Sequence, residues 1–415
     1  MRPAAVFLSL FVLASAASAA WFEISPPAPT SDTPIAVTFT TESLADCGPT
    51  QGDVTINGTS IQVRLFRRDA SPSCPPDIRP RIVRVDLGAL PLGEYSLVAE
   101  YKTIEWRGKF VVRNPAVRLA VTSRSGGLPV AISIDNARSV KFGGVAASLF
   151  RQSGRIVAIA PPHDPGLYDI EIADANGQQL TFSAAIYYFD PNAPPDATIF
   201  EKVLFPILDR VLGAAGAQWS TVATIENQSA DAIETFAQLN IVPKLRPSFS
   251  FFEFAGHGYP HGALLHIPRQ SSQGLAFSLR ISETSGVLAP GVDLLPVRES
   301  QFFRSVLTLA NVPVSSEYRT RVRIYGLDPL PETYVSISAL LSGDPLRAWG
   351  EILPLHRSTS VDEPAYGELD LNSVPELRGR DRVTVLISAP WGAPVWAFAS
   401  AVHGVSQRTL IIRPQ

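Results

Sequence analysis

The chain of 415 residues has two cysteines, one methionine and five lysines, and these scarcities already restrict what it can be. Two cysteines without further sulfur ligands argue against a structural zinc site. The formal charge is −3 at pH 7, so the chain lacks the basic field that binds nucleic acid, and we predict no nucleic-acid partner. Arginine far outnumbers lysine, a bias that is typical of a GC-rich bacterial genome.

Long apolar runs are missing after the first residues. Residues 1–20 have a charged start at Arg2, an apolar stretch from Ala4 to Leu13 and then small residues, which is the zonation of a secretory signal. That stretch is shorter than the roughly 20 residues that span a bilayer, and no later segment is long and uninterrupted enough. We predict a signal peptide over 1–20, export to the periplasm, the cell surface or the extracellular space, and no transmembrane segment after cleavage.

Catalytic signatures are missing as well. The sequence has no G-x-S-x-G elbow, and Gly256-His-Gly258 lacks the third glycine of a nucleotide-binding loop. Neither cysteine has a candidate base or an obvious reason to be a free thiol in an exported chain. We therefore predict that the protein is not an enzyme and has no cofactor.

What the chain does have is many short segments in which apolar and polar residues alternate, the pattern of half-buried strands. Ile61, Val63 and Leu65 form one such segment, and Gly93 to Tyr101 contains another. Turn residues separate these segments at the spacing of a β-sandwich. The pattern predicts an all-β protein that begins with an immunoglobulin-like domain over 21–113.

The next segment combines turn chemistry with a strand pattern. Gly143-Gly144 permits positive φ after a strand, Pro165-Gly166 makes a turn, and apolar residues alternate with acids from Tyr168 to Ile172. These residues resemble an IPT/TIG domain over about 116–190. The resemblance implies a second immunoglobulin-like sandwich, placed at 114–190, of the kind found in secreted and cell-surface proteins, in which loops and not catalytic residues carry specificity.

A proline-rich stretch from Asp190 to Ala197 has few large apolar residues and predicts a short stiff linker over 191–198. We expect limited proteolysis to cut there first. The residues that follow, Phe200 to Leu212, could also be read as one amphipathic helix, but Pro206 argues against a helix interior.

The region after the linker contains a weak internal duplication. Residues 219–225 resemble 318–324, and Leu275-Ala-Phe277 resembles Trp396-Ala-Phe398. Each half also ends in an aliphatic strand followed by arginine, at Arg298 and at Arg413. This region resembles the C-terminal part of predicted secreted proteins of soil bacteria, a similarity that implies no activity. The two predicted β-sandwich units are 199–300 and 301–415.

His257, His261 and His266 are half of the six histidines and are the candidate metal ligands of the chain. The Gly and Pro residues between them exclude a helix on which two histidines would face one way, and no Glu stands where a zinc protease needs it. A polar loop between strands explains the same residues, so we assign no metal ligand. A metal-dependent hydrolase in the C-terminal region is the weakest alternative.

Trp391 and Trp396 lie close to Gly392 and Pro394 and would offer a sugar-stacking platform if their rings are exposed. Burial in the core is the competing interpretation. The main prediction is an exported, non-catalytic β-sandwich protein that interacts with an unknown protein or polysaccharide at the cell surface. A carbohydrate-binding accessory protein is the alternative that exposed aromatic rings would favour.

Cys47 and Cys74 are the whole cysteine supply of an exported chain, and we predict that they form one disulfide. Closing a loop of about 28 residues should stabilise the first domain by roughly 3 to 4 kcal/mol. The check is the mass of the exported protein after alkylation with and without reduction. The expected result is two alkylated thiols only after reduction; two thiols in the unreduced protein would rule the bond out.

Overall fold

The structure is a computed structural model, and its described regular structure is β-strand apart from four short 3-10 turns. The predicted all-β fold is confirmed. The structure describes residues 21–41, 48–68, 81–102, 104–152, 154–207, 210–212, 218–229, 231–236, 244–245, 251–255, 259–283, 291–327, 334–341, 348–356, 360–389, 393–406 and 408–415. Within these residues no helix has the length and apolarity to cross a membrane.

The first set of strands forms two sheets around one core. The strands are β1 Trp21–Ser25, β2 Ile35–Thr41, β3 Gln51–Asn57, β4 Ser60–Phe66, β5 Arg81–Gly88, β6 Gly93–Tyr101 and β7 Ile104–Val112. One sheet has the order β1-β2-β5, and the other has the order β3-β4-β6-β7. Ile61, Val63 and Leu65 are buried while the residues between them are exposed, so the alternation in the sequence does mark the inner face of β4.

Cys47 and Cys74 lie outside the described residues. The disulfide stays a prediction.

Tyr95 closes one corner of the first sandwich. Its hydroxyl donates a hydrogen bond of 3.0 Å to the carbonyl of Pro91, and its ring stacks on Phe110 with centroids 5.5 Å apart. A tyrosine that bonds the backbone a few residues upstream is the tyrosine corner of immunoglobulin-like folds. Tyr168, its counterpart in the next set, packs instead against the His163 ring at a centroid distance of 3.9 Å.

The second set of strands also forms two sheets around its own core. The strands are β8 Ala120–Ser123, β9 Pro129–Ile132, β10 Ala137–Phe142, β11 Val145–Ala146, β12 Ser148–Gln152, β13 Arg155–Ile159, β14 Gly166–Asp174 and β15 Gln179–Phe189. The sheet orders are β11-β10-β14-β15-β8 and β12-β13-β9. Gly143 and Gly144 have φ of 54° and 81°, which the turn between β10 and β11 requires. The assignment of this set to the IPT/TIG type stays a prediction.

The third set begins with a strand where a helix was the alternative. The strands are β16 Phe200–Phe205, β17 Arg210–Leu212, β18 Gln218–Asn227, β19 Ile233–Glu234, β20 Lys244–Leu245, β21 Phe251–Ala255, β22 Ala263–Pro268, β23 Leu275–Glu283, β24 Val292–Asp293 and β25 Val297–Arg298. The sheets are β22-β16-β25, the path β17-β18-β23-β24 with β21 on β18, and the pair β19-β20. Short 3-10 turns occupy 269–274 and 299–301.

The fourth set consists of two four-stranded sheets. The strands are β26 Leu307–Pro313, β27 Tyr318–Gly326, β28 Tyr334–Leu341, β29 Ala348–Pro354, β30 Ala365–Asp370, β31 Arg382–Ser388, β32 Val395–His403 and β33 Thr409–Ile412. The orders are β26-β31-β28-β29 and β30-β27-β32-β33, and two 3-10 turns lie at 371–373 and 375–377. The duplicated segments form paired strands in both halves, β18 with β23 and β27 with β32, but in registers that differ by one residue. Ile225 faces Phe277, whereas Ile324 faces Ala397.

The third and fourth sets share one core. Phe398, Trp396, Tyr325 and Tyr366 project from the sheet of the fourth set, and they join the apolar cluster of the third set. The Tyr325 hydroxyl donates to the backbone carbonyl of Pro206 across this contact. Strand pairing between named strands stays within each of the four sets, but the apolar packing does not. The predicted domain boundaries themselves stay predictions.

The predicted linker ends in a buried cluster. Phe189, Phe200 and Phe236 pack with ring centroids 5.4 to 5.8 Å apart, and residues of the first and second sets complete the cluster. Thr198 is buried, and its hydroxyl oxygen accepts a 3.0 Å hydrogen bond from the backbone N–H of Val111 in β7. Within the linker, residues 192–194 and Ala197 are exposed. The middle of the linker is therefore accessible to solvent, and Thr198 at its end is held by burial and by its hydrogen bond to Val111.

Polar contacts add to this packing between the sets. The Thr122 hydroxyl donates to the carboxylate of Glu234 at 2.6 Å, and both residues are buried. Arg118 forms an ion pair with Asp231 across the same junction. At the other end of the chain Glu23 of β1 pairs with Arg304, just before β26. These contacts pack the four sets against one another, so the sets are not independent units joined only by linkers.

The packed end of the linker predicts how a nicked chain will behave. A protease should cut within 192–194, yet the two fragments should elute together in size-exclusion chromatography, because Phe189 and Phe200 lie on opposite sides of the cut in one cluster. The Phe200→Ala variant, cut at the same place, should release the fragments more readily. Separation of the unsubstituted fragments under native conditions would contradict the role of the cluster.

Candidate functional site

Of the three candidate histidines, the structure describes His261 and His266. His266 is 1% exposed, and its Nε2–H donates a 3.0 Å hydrogen bond to the carbonyl of Val361. His261 is exposed, with its ring 4.4 Å from that of Tyr366. His257 lies outside the described residues. Among the described residues no group of three or more His, Cys, Asp or Glu side chains could hold a metal ion.

The buried His266 links the third set to the loop before β30. Burial and, to a smaller extent, the positive charge of Lys202 lower the pKa of His266 to about 4, against the opposing effect of the hydrogen bond to Val361. The carboxyl of Asp362, also buried, lies 3.7 Å from Nε2, which is too far for a hydrogen bond. We take the imidazole to be neutral, because a charged ring would need more than one carbonyl acceptor to offset its burial.

Trp396 is the member of the tryptophan pair that the structure describes. It is 6% exposed and packs against Phe398 and Tyr325 with centroids 5.6 and 6.1 Å apart. Core packing therefore accounts for most of the surface of this ring. Trp391 lies outside the described residues, and its stacking role stays a prediction.

One edge of Trp396 does line a cavity at the boundary between the third and fourth sets, which we call the junction cleft. Its volume is about 390 Å³, within the range of small-ligand sites. Phe302 and Trp396 are buried at its floor, Phe303 is half-buried, and Gln301 and Arg413 are exposed. The complete described lining is Leu295, Pro296, Val297, Ser300, Gln301, Phe302, Phe303, Trp396, Arg413 and Pro414.

The segment that joins the two sets builds one wall of the cleft. Gln301 ends a 3-10 turn, and its Oε1 accepts a 2.8 Å hydrogen bond from the backbone N–H of Arg298. Phe303 and Val395 exchange two backbone hydrogen bonds of 2.8 and 2.9 Å, which fix the phenylalanine beside the start of β32. The polar rim and the aromatic side of the cleft are thus held by the backbone of one short segment.

Arg298 supports this wall from below. Its guanidinium forms a 2.6 Å ion pair with Glu201 and donates to the carbonyls of Ser272 and Leu275. Burial raises the pKa of Glu201, and the charge of Arg298 partly offsets that rise. The guanidinium also lies 5.2 Å from the Phe277 ring centroid. The Arg298 guanidinium is therefore held by partners within the third set and does not line the cleft.

The opposite wall is the segment after β33. Nη2 of Arg413 donates a 2.8 Å hydrogen bond to the carbonyl of Asp293, which belongs to the third set. The backbone N–H of Gln415 donates to the carbonyl of Thr308 in β26 at 3.1 Å. This segment therefore bridges the two sets, and it places a guanidinium and Pro414 at the mouth of the cleft.

The described lining of the cleft consists of aromatic, aliphatic and polar residues and one arginine. Its described lining includes no carboxylate, histidine or cysteine, and Ser300 has no base beside it there. Glycoside hydrolysis needs two carboxylates flanking the bond, and the lining supplies neither. An apolar floor with hydrogen-bonding groups at the rim suits a ligand that has one apolar face and polar edges.

A charged network elsewhere in the fourth set was not anticipated. Glu368 accepts from Tyr366, from Arg323 at 3.0 Å and from Arg321 at 2.7 Å. Burial raises the pKa of Glu368, but the Tyr366 hydrogen bond and the charges of both arginines outweigh it and hold that pKa below its usual value. The guanidinium of Arg323 also lies 5.9 Å from the Phe398 ring centroid. The network is a fully engaged structural cluster with one carboxylate.

Sequence reasoning found part of the cleft. It singled out Trp396, and it noted the arginines that follow the two aliphatic strands, one of which is Arg413. It missed Gln301 and Phe303, which precede β26 and belong to no periodic pattern. Their signal was the position of Glu299 to Phe303 between the duplicated halves, where the two predicted sandwiches had to meet.

Comparisons with known proteins give distant similarity. No protein-family model and no curated protein matches the chain. SGBP-B from a complex xyloglucan utilization locus of Bacteroides uniformis is 11% identical over 95% of this chain and 97% of that one, with a TM-score of 0.14. SGBP-B of the Bacteroides ovatus mixed-linkage glucan utilization locus, in complex with a mixed-linkage heptasaccharide, is 13% identical over 73% and 85%, with a TM-score of 0.19. At these TM-scores neither similarity says what this chain binds.

The neutral imidazole of His266 predicts a loss of stability in acid. Its pKa is about 4 in the folded chain and near 6.5 when unfolded, so between these values the unfolded chain binds a proton that the folded chain does not. Folding should lose about 2 kcal/mol from this group between pH 7.5 and 5.0.

The measurement is urea unfolding of the wild type and of His266→Gln, whose amide can still donate to Val361, at both pH values. The variant should lose less stability on acidification than the wild type. An identical pH dependence in the two proteins would show that His266 does not titrate as its burial implies.

Proposed function

We propose that the chain is an exported, non-catalytic protein that binds polysaccharide at the cell surface, and that a sugar ring lies in the junction cleft. The observation that carries this proposal is the combination of buried aromatic residues with exposed polar residues in the cleft, whose described lining contains no carboxylate. In this proposal the alternative of a carbohydrate-binding accessory protein takes precedence over a general interaction role.

A sugar ring matches the chemistry of the cleft. Its C–H face is apolar and can pack on Phe303 and on the edge of Trp396, while its hydroxyl groups reach outward. Gln301 and Ser300 at the rim offer an amide and a hydroxyl for hydrogen bonds. Aromatic side chains supply large contact areas at little entropic cost, so a few of them suffice for binding.

The remaining sets act as a support in this proposal. The second set is the IPT/TIG-like module, and the first is the immunoglobulin-like domain before it, which carries the Cys47–Cys74 disulfide. Together with the signal peptide they fit a protein that works outside the cytoplasm. The contacts at Thr198 and Arg304 would hold these sets against the pair that contains the cleft.

A protein partner is the second candidate, and one observation favours it. Leu295 and Val306 are 55% and 53% exposed on either side of Phe303 in the sequence. Exposed apolar side chains beside a cleft are a feature of protein interfaces. A partner would insert an apolar side chain where the sugar ring is proposed to lie.

The experiment is a binding screen of the mature protein against soluble polysaccharides and cell-envelope fractions, by affinity electrophoresis and calorimetry. Phe303→Ala should weaken polysaccharide binding about tenfold, equivalent to about 1.4 kcal/mol. The matched control is Phe150→Ala, because Phe150 is 42% exposed on the second set and is not part of the cleft lining. The control should bind as the wild type does.

Gln301→Ala gives an independent test, since it removes the rim amide together with the hydrogen bond that this amide accepts from the backbone N–H of Arg298. Both cleft variants should keep the thermal unfolding midpoint within a few degrees of the wild type. Binding of no polysaccharide, with capture of an envelope protein instead, would favour the second candidate. Release of sugar fragments from any bound polysaccharide would overturn the non-catalytic assignment.

A further inference from the structure

The described lining of the junction cleft carries a positive charge without a matching negative one, and this restricts the chemistry of the ligand. Arg413 is the one charged side chain in the described lining. No carboxylate of the described residues forms an ion pair with it, and its recorded contact is the hydrogen bond to the carbonyl of Asp293. Its side chain is exposed, so the guanidinium stands at the mouth of the cleft with most of its donors directed to no described acceptor.

Nearby arginines differ from Arg413 in this respect. Arg298 is paired with Glu201, and Arg304 is paired with Glu23. Arg269 is paired with Glu299 at 2.8 Å. Each of these guanidinium groups has its anion within the protein, and each joins two parts of the fold. Arg413 follows an aliphatic strand as Arg298 does, but it faces the cleft and not the core.

We infer that the junction cleft selects an acidic polysaccharide, with a sugar carboxylate paired to Arg413 while the ring of the same residue lies against Phe303. This inference rests on the proposed function and narrows its ligand to uronic-acid polymers. A planar guanidinium matches a carboxylate with two parallel hydrogen bonds, which a hydroxyl group cannot provide. The bond to Asp293 holds the guanidinium in place before the ligand arrives, so less side-chain entropy is lost on binding.

The test compares polymers that differ only in charge. Polygalacturonate and alginate are titrated into the mature protein alongside their methyl esters, which keep the ring and lose the anion. The acidic form should bind about tenfold more tightly than its ester at low salt, and the difference should shrink as ionic strength rises. Dextran sulfate is the third probe, because sulfate carries the charge without the planar carboxylate.

The variants separate charge from shape. Arg413→Gln should bind the acidic polymer no more tightly than its methyl ester, so the ratio of the two affinities should fall from about tenfold to about one. Arg413→Lys should keep part of the preference, since lysine retains the charge but not the planar pair of donors. Arg408→Gln is the matched control: it removes the same charge at the other end of β33, outside the cleft lining, and should have no effect.

The outcomes distinguish this inference from the proposed function. Equal affinity for acid and ester, or an unchanged preference in Arg413→Gln, would overturn the inference while leaving polysaccharide binding in place. Dextran sulfate bound as tightly as polygalacturonate would overturn the carboxylate assignment. Failure to bind any polymer, acidic or neutral, would overturn both proposals.

Discussion

The packing of Phe189, Phe200 and Phe236 is the contact on which the arrangement of the four sets depends. These rings come from the end of β15, the start of β16 and the second residue after β19, so one cluster joins the last strand of the second set to the first strand of the third. Val111 adds the first set to the same cluster. Because the free energy gained by apolar burial is proportional to the area removed from water, this packing stabilises the junction, and the Arg118–Asp231 ion pair adds to it.

A second constraint acts between the third and fourth sets. A sheet buried on one face normally carries polar residues on the other, yet Tyr325, Trp396 and Phe398 project from the outer face of the β27–β32 pair. Residues of the third set pack against these rings, and the junction cleft lies at the edge of this contact. The cleft is thus a product of how two sandwiches meet, which explains why its walls come from both.

The strands could be predicted from the sequence, but the contacts between the four sets could not. The alternation of apolar and polar residues predicted the inner face of β4, and Gly143-Gly144 predicted the turn between β10 and β11. Both are local consequences of the side-chain period and of backbone sterics. Proline content indicated a linker, but it could not show that Thr198 bonds Val111, since that contact joins residues far apart in the chain. Trp396 was noticed as an aromatic beside a turn; its burial depends on the third set, and no local pattern reports it.

The outward aromatic face of the fourth set also limits how this chain can be divided. Trp396 and Phe398 repeat the spacing of Leu275 and Phe277, but the paired strands are offset by one residue, so Arg323 and not an aliphatic residue faces Phe398. The two halves are therefore not interchangeable. Because the rings of the fourth set are buried only against the third, a fragment that contained the fourth set alone would expose Tyr325, Trp396 and Phe398 to water.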